Sequence, residues 1–175
     1  MSKSKFSGRK RLLNYKPQQI QPIKKQMHSL QPLHTYFLVN HSLKPPYSIL
    51  IDTNFINHTI RRKLDLHTEM LRCLYSNYNL YVTECVIAEL EKLGRPYRVA
   101  LNILKNPKYI HLTCDHKGTY VDDCIVERVT SHRCYIVATC DTELKQRIRK
   151  IPSVPIMYVK GMHYDVEGLP NGPIR

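Results

Sequence analysis

Ser48-Ile49-Leu50-Ile51-Asp52-Thr53-Asn54 joins a short apolar run to three small polar residues. The run reads as a buried strand, and Asp52-Thr53-Asn54 closes it with a group suited to a helix N-cap. The same succession recurs outward along the chain. A helix should follow Asn54, and Leu64, Leu66, Met70, Leu71 and Leu74 recur at helical spacing. Leu80-Tyr81-Val82 gives a second strand, closed by Thr83, and Val86, Ile87, Leu90 and Leu93 form an apolar helical stripe with Gly94 as its stop. A further helix is expected from about Tyr97 to Lys105, and Tyr109-Ile110-His111-Leu112 reads as a third strand. Ile125, Val126 and Val129 mark a helix beginning near Asp122, and Tyr135-Ile136-Val137-Ala138-Thr139 is the most strand-like run. Asp141 opens the helix of Leu144 and Ile148, and Pro155-Ile156-Met157-Tyr158-Val159 supplies the last strand. Strands alternating with helices predict an α/β fold with a central parallel sheet covered on both faces.

In such a sheet, ligands bind beyond the carboxyl ends of the strands. Four acids fall there. Asp52 follows the first strand, Glu89 lies in the helix after the second, Asp122 starts the helix after the third, and Asp141 follows the fourth. Taken singly, each has an ordinary structural use: Asp52 and Asp141 as helix caps, Glu89 as a solvated helix residue, Asp122 as a partner of the helix dipole. Taken together, they would repel unless a cation offset them, and an all-oxygen ligand set favours Mg²⁺ or Mn²⁺. Two such ions about 3.5–4 Å apart could activate a water and stabilise the leaving oxygen at a phosphodiester, with no protein nucleophile.

Six cysteines in a chain read as intracellular point away from a disulfide framework. Cys85, Cys114, His116 and Cys124 offer three thiolates and one imidazole, a donor set for closed tetrahedral zinc; buried reduced cysteines are the alternative. His132 beside Cys134 is a second metal candidate, and Cys73, Cys134 and Cys140 read as small core or strand-end residues.

Ile51-Asp52-Thr53-Asn54-Phe55, Glu84-Cys85-Val86-Ile87-Ala88-Glu89-Leu90, Tyr120-Val121-Asp122-Asp123-Cys124 and Thr139-Cys140-Asp141 resemble the acidic motifs of PIN-domain nucleases. Ala88-Glu89-Leu90-Glu91-Lys92-Leu93-Gly94, His116-Lys117-Gly118-Thr119-Tyr120, Cys134 to Thr139 and Arg147-Ile148-Arg149-Lys150-Ile151-Pro152 resemble more closely the PIN endonucleases of the eukaryotic small-subunit processome. The resemblance covers roughly Pro45 to Pro170. It implies a PIN-like (Rossmann-like) fold and a nucleolar enzyme that cuts precursor ribosomal RNA, including at the boundary forming the 5′ end of the small-subunit RNA, alongside small-subunit processome proteins. The family's catalytic carboxylates fall on Asp52, Glu89, Asp122 and Asp141, with Asp123 as an adjacent alternative, for Mg²⁺ or Mn²⁺. It also implies structural Zn²⁺ at Cys85, Cys114, His116 and Cys124. A sister processome protein has lost key acids and serves as a scaffold. This sequence keeps all four, which favours the nuclease over a non-catalytic RNA-binding assembly factor.

Charge separates the chain into two parts. The first 51 residues hold nine of the 27 Lys and Arg and none of the 14 Asp and Glu, so +9 of the net +13 lies there. With its prolines and absent periodicity, segment 1–45 is expected to be a basic, largely disordered or extended arm, and 46–175 the PIN-like nuclease domain with its embedded zinc site. Extended, the arm would reach on the order of 150 Å. It suits RNA or an assembly, and a solubilising or nuclear-import tail is the alternative. Tyr36-Phe37-Leu38-Val39 is a candidate docking block. Beyond the arm, Lys145, Arg147, Arg149 and Lys150 are candidates for phosphates, Lys117 and Tyr120 for holding backbone and stacking a base. Arg61, Arg62, Lys63, Arg95 and Arg98 add charge without a clear address. The composition excludes an acidic solvating protein, and no apolar run approaches the roughly 18 residues of a membrane span. A soluble protein of the nucleus and nucleolus is expected.

Overall fold

β1 (Tyr47–Ile51) lies inside a six-stranded sheet of order β3-β2-β1-β4-β5-β6. Ile49, Leu50 and Ile51 are fully buried, so the continuous apolar run is what a strand covered on both faces requires. Each such side chain contributes about 1.5–3 kcal/mol by burial. The structure is a computed structural model that describes residues 40, 42–116 and 120–169, all within one compact unit. The Tyr36–Val39 block, most of the basic arm 1–45, and Lys117-Gly118-Thr119 lie outside the described residues.

The chain continues through α1 (Thr53–Arg61), α2 (Leu66–Leu74), β2 (Tyr78–Thr83) and α3 (Glu84–Leu93). A 3₁₀ turn at Arg95–Tyr97, α4 (Arg98–Leu104), β3 (Ile110–Leu112), α5 (Val121–Ser131) and β4 (Tyr135–Ala138) come next. The described part ends with α6 (Thr142–Ile148), β5 (Ile156–Lys160) and β6 (His163–Glu167). β1 pairs in parallel with β2 and β4, β2 with β3, and β4 with β5. Local chemistry sets the helix ends. Thr83 caps α3 through the Val86 N–H at 3.4 Å, and Gly94 stops it at φ +73°, a left-handed conformation that a side chain would strain. Asp65 caps α2 through Thr68 N–H at 2.7 Å.

The expected all-parallel sheet needs one correction. β6 runs antiparallel to β5, with Met157 opposite Val166 and Val159 opposite Tyr164, so the sheet is mixed and mostly parallel. His163-Tyr164-Asp165-Val166-Glu167 alternates polar and apolar residues over only five positions, too brief a pattern to stand out. What anchors it is tertiary: Tyr164 is buried, its ring 4.8 Å from that of Phe55, and its hydroxyl lies 2.9 Å from that of Thr59. The helix expected over Tyr97–Lys105 is found as the 3₁₀ turn and α4, and the region after Asn54 holds two helices. No helix among the described residues is long and apolar enough to cross a membrane.

Candidate active site

The chain steps outward from β1 through β2 to β3, then returns to β4 on the other side of β1. That reversal leaves a crevice beyond the carboxyl ends of β1 and β4. Asp52 and Asp141 stand there, after β1 and β4 respectively. α3 brings Glu89 and the first turn of α5 brings Asp122. All four line one cavity of about 280 Å³, with Asn54, Tyr120, Asp123 and Arg147 also on its wall.

Hydroxyls hold these acids in place. Asp52 occupies the N-cap position of α1 but makes no side-chain cap bond. Its Oδ2 instead accepts from Thr139 Oγ1 at 2.7 Å, and that same hydroxyl accepts the Asp141 N–H at 3.0 Å. Thr139 therefore ties two acids of the cavity to one strand end. Thr53 Oγ1 donates to Glu89 Oε2, which ties α1 to α3. Asp141 does serve as a cap, its Oδ1 accepting from Glu143 N–H at 3.0 Å, and it lines the cavity as well. Neither threonine was singled out as a site residue in the sequence. Their signal was adjacency, since Thr53 follows Asp52 and Thr139 precedes Asp141 by two.

Gathering carboxylates without a cation changes their titration. Asp52 is 2% exposed, and its pKa is pushed up to about 7 by burial, with Asp122 and Glu89 adding to the rise against the Thr139 hydrogen bond. Asp122 is also raised, by burial and then by Asp141, with Arg147 opposing. Such a site is short of positive charge, and its donors are all hard oxygens, as Mg²⁺ or Mn²⁺ requires.

Cys85, Cys114, His116 and Cys124 also come together, their ligand atoms all within 4.8 Å of one another. Cys85 Sγ lies 3.3 Å from His116 Nε2 and Cys114 Sγ 3.6 Å from Cys124 Sγ. A tetrahedron with Zn–S near 2.3 Å and Zn–N near 2.0–2.1 Å has edges of about 3.5–3.8 Å, close to these two separations, and three thiols with one imidazole are a donor set suited to that ion. Burial pushes the Cys124 thiol up to about 12, with Cys114 and Cys85 adding to it. The loop of Cys114 is held from both sides: its N–H donates to Glu84 Oε2 at 3.1 Å, and Arg128 donates to the Thr113 carbonyl at 2.7 Å. His132 and Cys134 join no such group among the described residues.

The candidate RNA-binding residues are dispersed. Tyr120 is 77% exposed at the cavity. Arg147 pairs with Asp123 at 2.5 Å, which makes Asp123 an ion-pair partner on the cavity wall. Arg149 is bound to Glu167 through two nitrogens at 2.7 and 3.0 Å, and Lys150 is exposed. Lys145 lies 4.5 Å over the Tyr158 ring. Lys117 lies outside the described residues.

A mostly parallel sheet with an acid-lined crevice at the β1–β4 switch defines a PIN-type domain. A solved structure described as the PIN domain endonuclease Utp24 superposes with a TM-score of 0.70 at 53% identity, covering 72% of this chain and 95% of that one. The Fcf1 family model matches residues 72–168, and the chain belongs to the Fcf1 family. It is 56% identical over 140 residues to the rRNA-processing protein FCF1 homolog of Homo sapiens, covering 80% of this chain and 71% of that protein. Against rRNA-processing protein FCF1 of Saccharomyces cerevisiae it is 54% identical over 136 residues, covering 78% and 72%.

Proposed function

We propose that this chain is a divalent-metal-dependent endoribonuclease that cuts precursor ribosomal RNA during small-subunit assembly, including at the boundary that forms the 5′ end of the small-subunit RNA. The observation that carries this reading is the convergence of Asp52, Glu89, Asp122 and Asp141, from four separate parts of the chain, on one cavity. The fold and the rRNA-processing names of its relatives supply the substrate class. The setting is the nucleolus, with small-subunit processome proteins presenting the RNA and the basic arm 1–45 reaching into that assembly.

Asp52, Glu89, Asp122 and Asp141 hold Mg²⁺ or Mn²⁺. When bound, the ions lower the pKa of a water and offset charge on the leaving oxygen. Thr139 and Thr53 fix the carboxylates so that little reorganisation is needed at reaction. Arg147 keeps Asp123 engaged on the wall and leaves Asp122 as the inward acid of that pair. Tyr120, exposed at the rim, stacks a base beside the cut. Cys85, Cys114, His116 and Cys124 would hold a Zn²⁺, which would serve a structural part. Cys85 and Glu89 share α3, and Asp122 and Cys124 share α5, so the zinc braces the two helices that present half of the acids.

Cleavage of a precursor RNA spanning the 5′ boundary tests the reading, with wild type and Asp52→Asn compared in Mg²⁺ and in Mn²⁺. Cleavage lost in Asp52→Asn supports it. Equal cleavage by both proteins would instead leave a non-catalytic RNA-binding assembly factor on the same fold.

A further inference from the structure

Lys145 and Arg62 are 83 positions apart in sequence, and each reaches a residue at or just beyond the carboxyl half of β5. Lys145 Nζ packs 4.5 Å from the centroid of the Tyr158 ring. Arg62, at the end of α1, donates through Nη1 to the Gly161 carbonyl at 2.5 Å, three residues beyond Tyr158 in the turn to β6. Arg61 is the last residue of α1, next to Arg62, and after burial Arg61, Arg62 and Lys145 together lower the pKa of His58 on the same helix. Lys145 lies one turn after Asp141 on α6, its N–H bonding the Asp141 carbonyl at 3.1 Å, and Tyr158 follows Met157, whose carbonyl accepts the Thr139 N–H at 2.9 Å. The Lys145 contact to Tyr158 and the Arg62 contact to Gly161 therefore lie at the carboxyl-end side of the parallel strands β4 and β5, the side on which Asp141 follows β4.

The carboxylates nearby are engaged elsewhere. Asp165 pairs with Lys160 at 2.9 Å and Glu167 with Arg149 at 2.7 Å. Among the described residues, no ion pair engages Arg61, Arg62 or Lys145. Like charges gathered in this way repel each other and attract a polyanion, and a phosphodiester chain releases its counterions on meeting them. The sequence suggested Lys145, Arg147, Arg149 and Lys150 for this role; of these, Arg147 and Arg149 hold carboxylates. Arg61 and Arg62 had no address in the sequence, and the fold supplies one.

We infer that Arg62 and Lys145, with Arg61, bind the RNA backbone phosphates flanking the scissile bond, so that the strand leaves the acidic cavity across the ends of β4 and β5. This rests on the endoribonuclease reading above. It predicts that these residues govern RNA affinity and contribute little to the chemical step.

The test uses the full chain and a fluorescein-labelled single-stranded RNA of mixed sequence, with no Mg²⁺ or Mn²⁺ added so that binding is measured alone. Arg62→Gln/Lys145→Gln is compared with Arg95→Gln/Arg98→Gln, which removes the same charge from the exposed 3₁₀ turn and the start of α4. The first pair should weaken binding at least about tenfold and reduce the slope of log K against log salt by about 1.4, from about 0.7 for each phosphate contact on a single strand. In Mg²⁺, KM should rise by a similar factor with kcat retained. Arg62→Lys/Lys145→Arg, which keeps both charges, should bind as wild type does and so separates lost charge from disturbed folding. An unchanged salt slope in Arg62→Gln/Lys145→Gln, or an equal fall in the control pair, overturns the inference. Wild type that binds and cleaves while the double variant matches it sinks this inference alone. Wild type that neither binds nor cleaves RNA sinks the endoribonuclease reading as well.

Discussion

The acidic cavity and the Cys/His cluster each draw half of their residues from the same two helices, yet their donors are opposite in kind. On α3, Cys85 precedes Glu89 by one turn; on α5, Asp122 precedes Cys124 by two residues. The carboxylates are hard oxygens around a cavity of about 280 Å³, with room for water and an RNA phosphate. The cluster is soft, compact and closed, with four donors for four positions. One arrangement suits an ion that meets substrate, the other an ion that holds the chain together. Because the helices are shared, damage should pass in one direction: losing the cluster should loosen the acids, whereas neutralising an acid should leave the cluster intact.

The largest effect expected is on the acidic side. On the proposed reading, Asp52→Asn should lower the cleavage rate by at least about 10²–10³-fold, since it removes charge from the carboxylates proposed to hold the ions. Zinc content, measured by elemental analysis, should not change. Cys114→Ser comes next: it should release the zinc, lower the melting temperature and reduce cleavage about 10–100-fold through the helices alone. Unchanged metal content in that variant would remove Cys114 from the cluster, and unchanged cleavage after zinc loss would break the one-way coupling.

A pH experiment separates the two regions without mutation. The folded pKa of Asp52 is raised from 3.8 to about 7, so the folded chain holds that proton more tightly than the unfolded chain does. The resulting stability is complete below the unfolded pKa and is lost as pH rises through the folded one. Without Mg²⁺ or Mn²⁺, the melting temperature should therefore fall between about pH 4 and pH 7, with up to about 4 kcal/mol at stake over that span. Asp52→Asn should flatten this dependence. Added Mn²⁺ should stabilise more at pH 8 than at pH 6, because proton and ion compete for one carboxylate. The smallest effect is expected from Thr139→Val, which deprives Asp52 of a donor and the Asp141 N–H of an acceptor. About 1–3 kcal/mol of stability should be lost, as read by denaturant titration.

Much of this fold is legible in the chain because β1, β2, β4 and β5 carry buried apolar runs closed by polar residues. β6 is not, since Tyr164 and Val166 form a pattern only once Phe55 and Thr59 are seen beneath it. In the site, the four acids and the four metal-type donors can be gathered from their places after successive strands. Their supports cannot. Thr139 bridges two acids through a hydroxyl at the end of β4, and Thr53 meets Glu89 across 36 residues. The basic run after Asp141 shows the limit of one-dimensional reading: Arg147 and Arg149 are paired by Asp123 and Glu167, neither of them a sequence neighbour.

The central claim is that four distant carboxylates share divalent ions, and Mn²⁺ titration of the zinc-loaded full chain, followed by electron paramagnetic resonance, tests it most directly. Wild type should bind Mn²⁺ saturably and release it to excess Mg²⁺. Asp52→Asn and Asp141→Asn should each bind at least about tenfold more weakly with zinc retained. Equal Mn²⁺ binding by all three proteins, or none by wild type, would contradict the account.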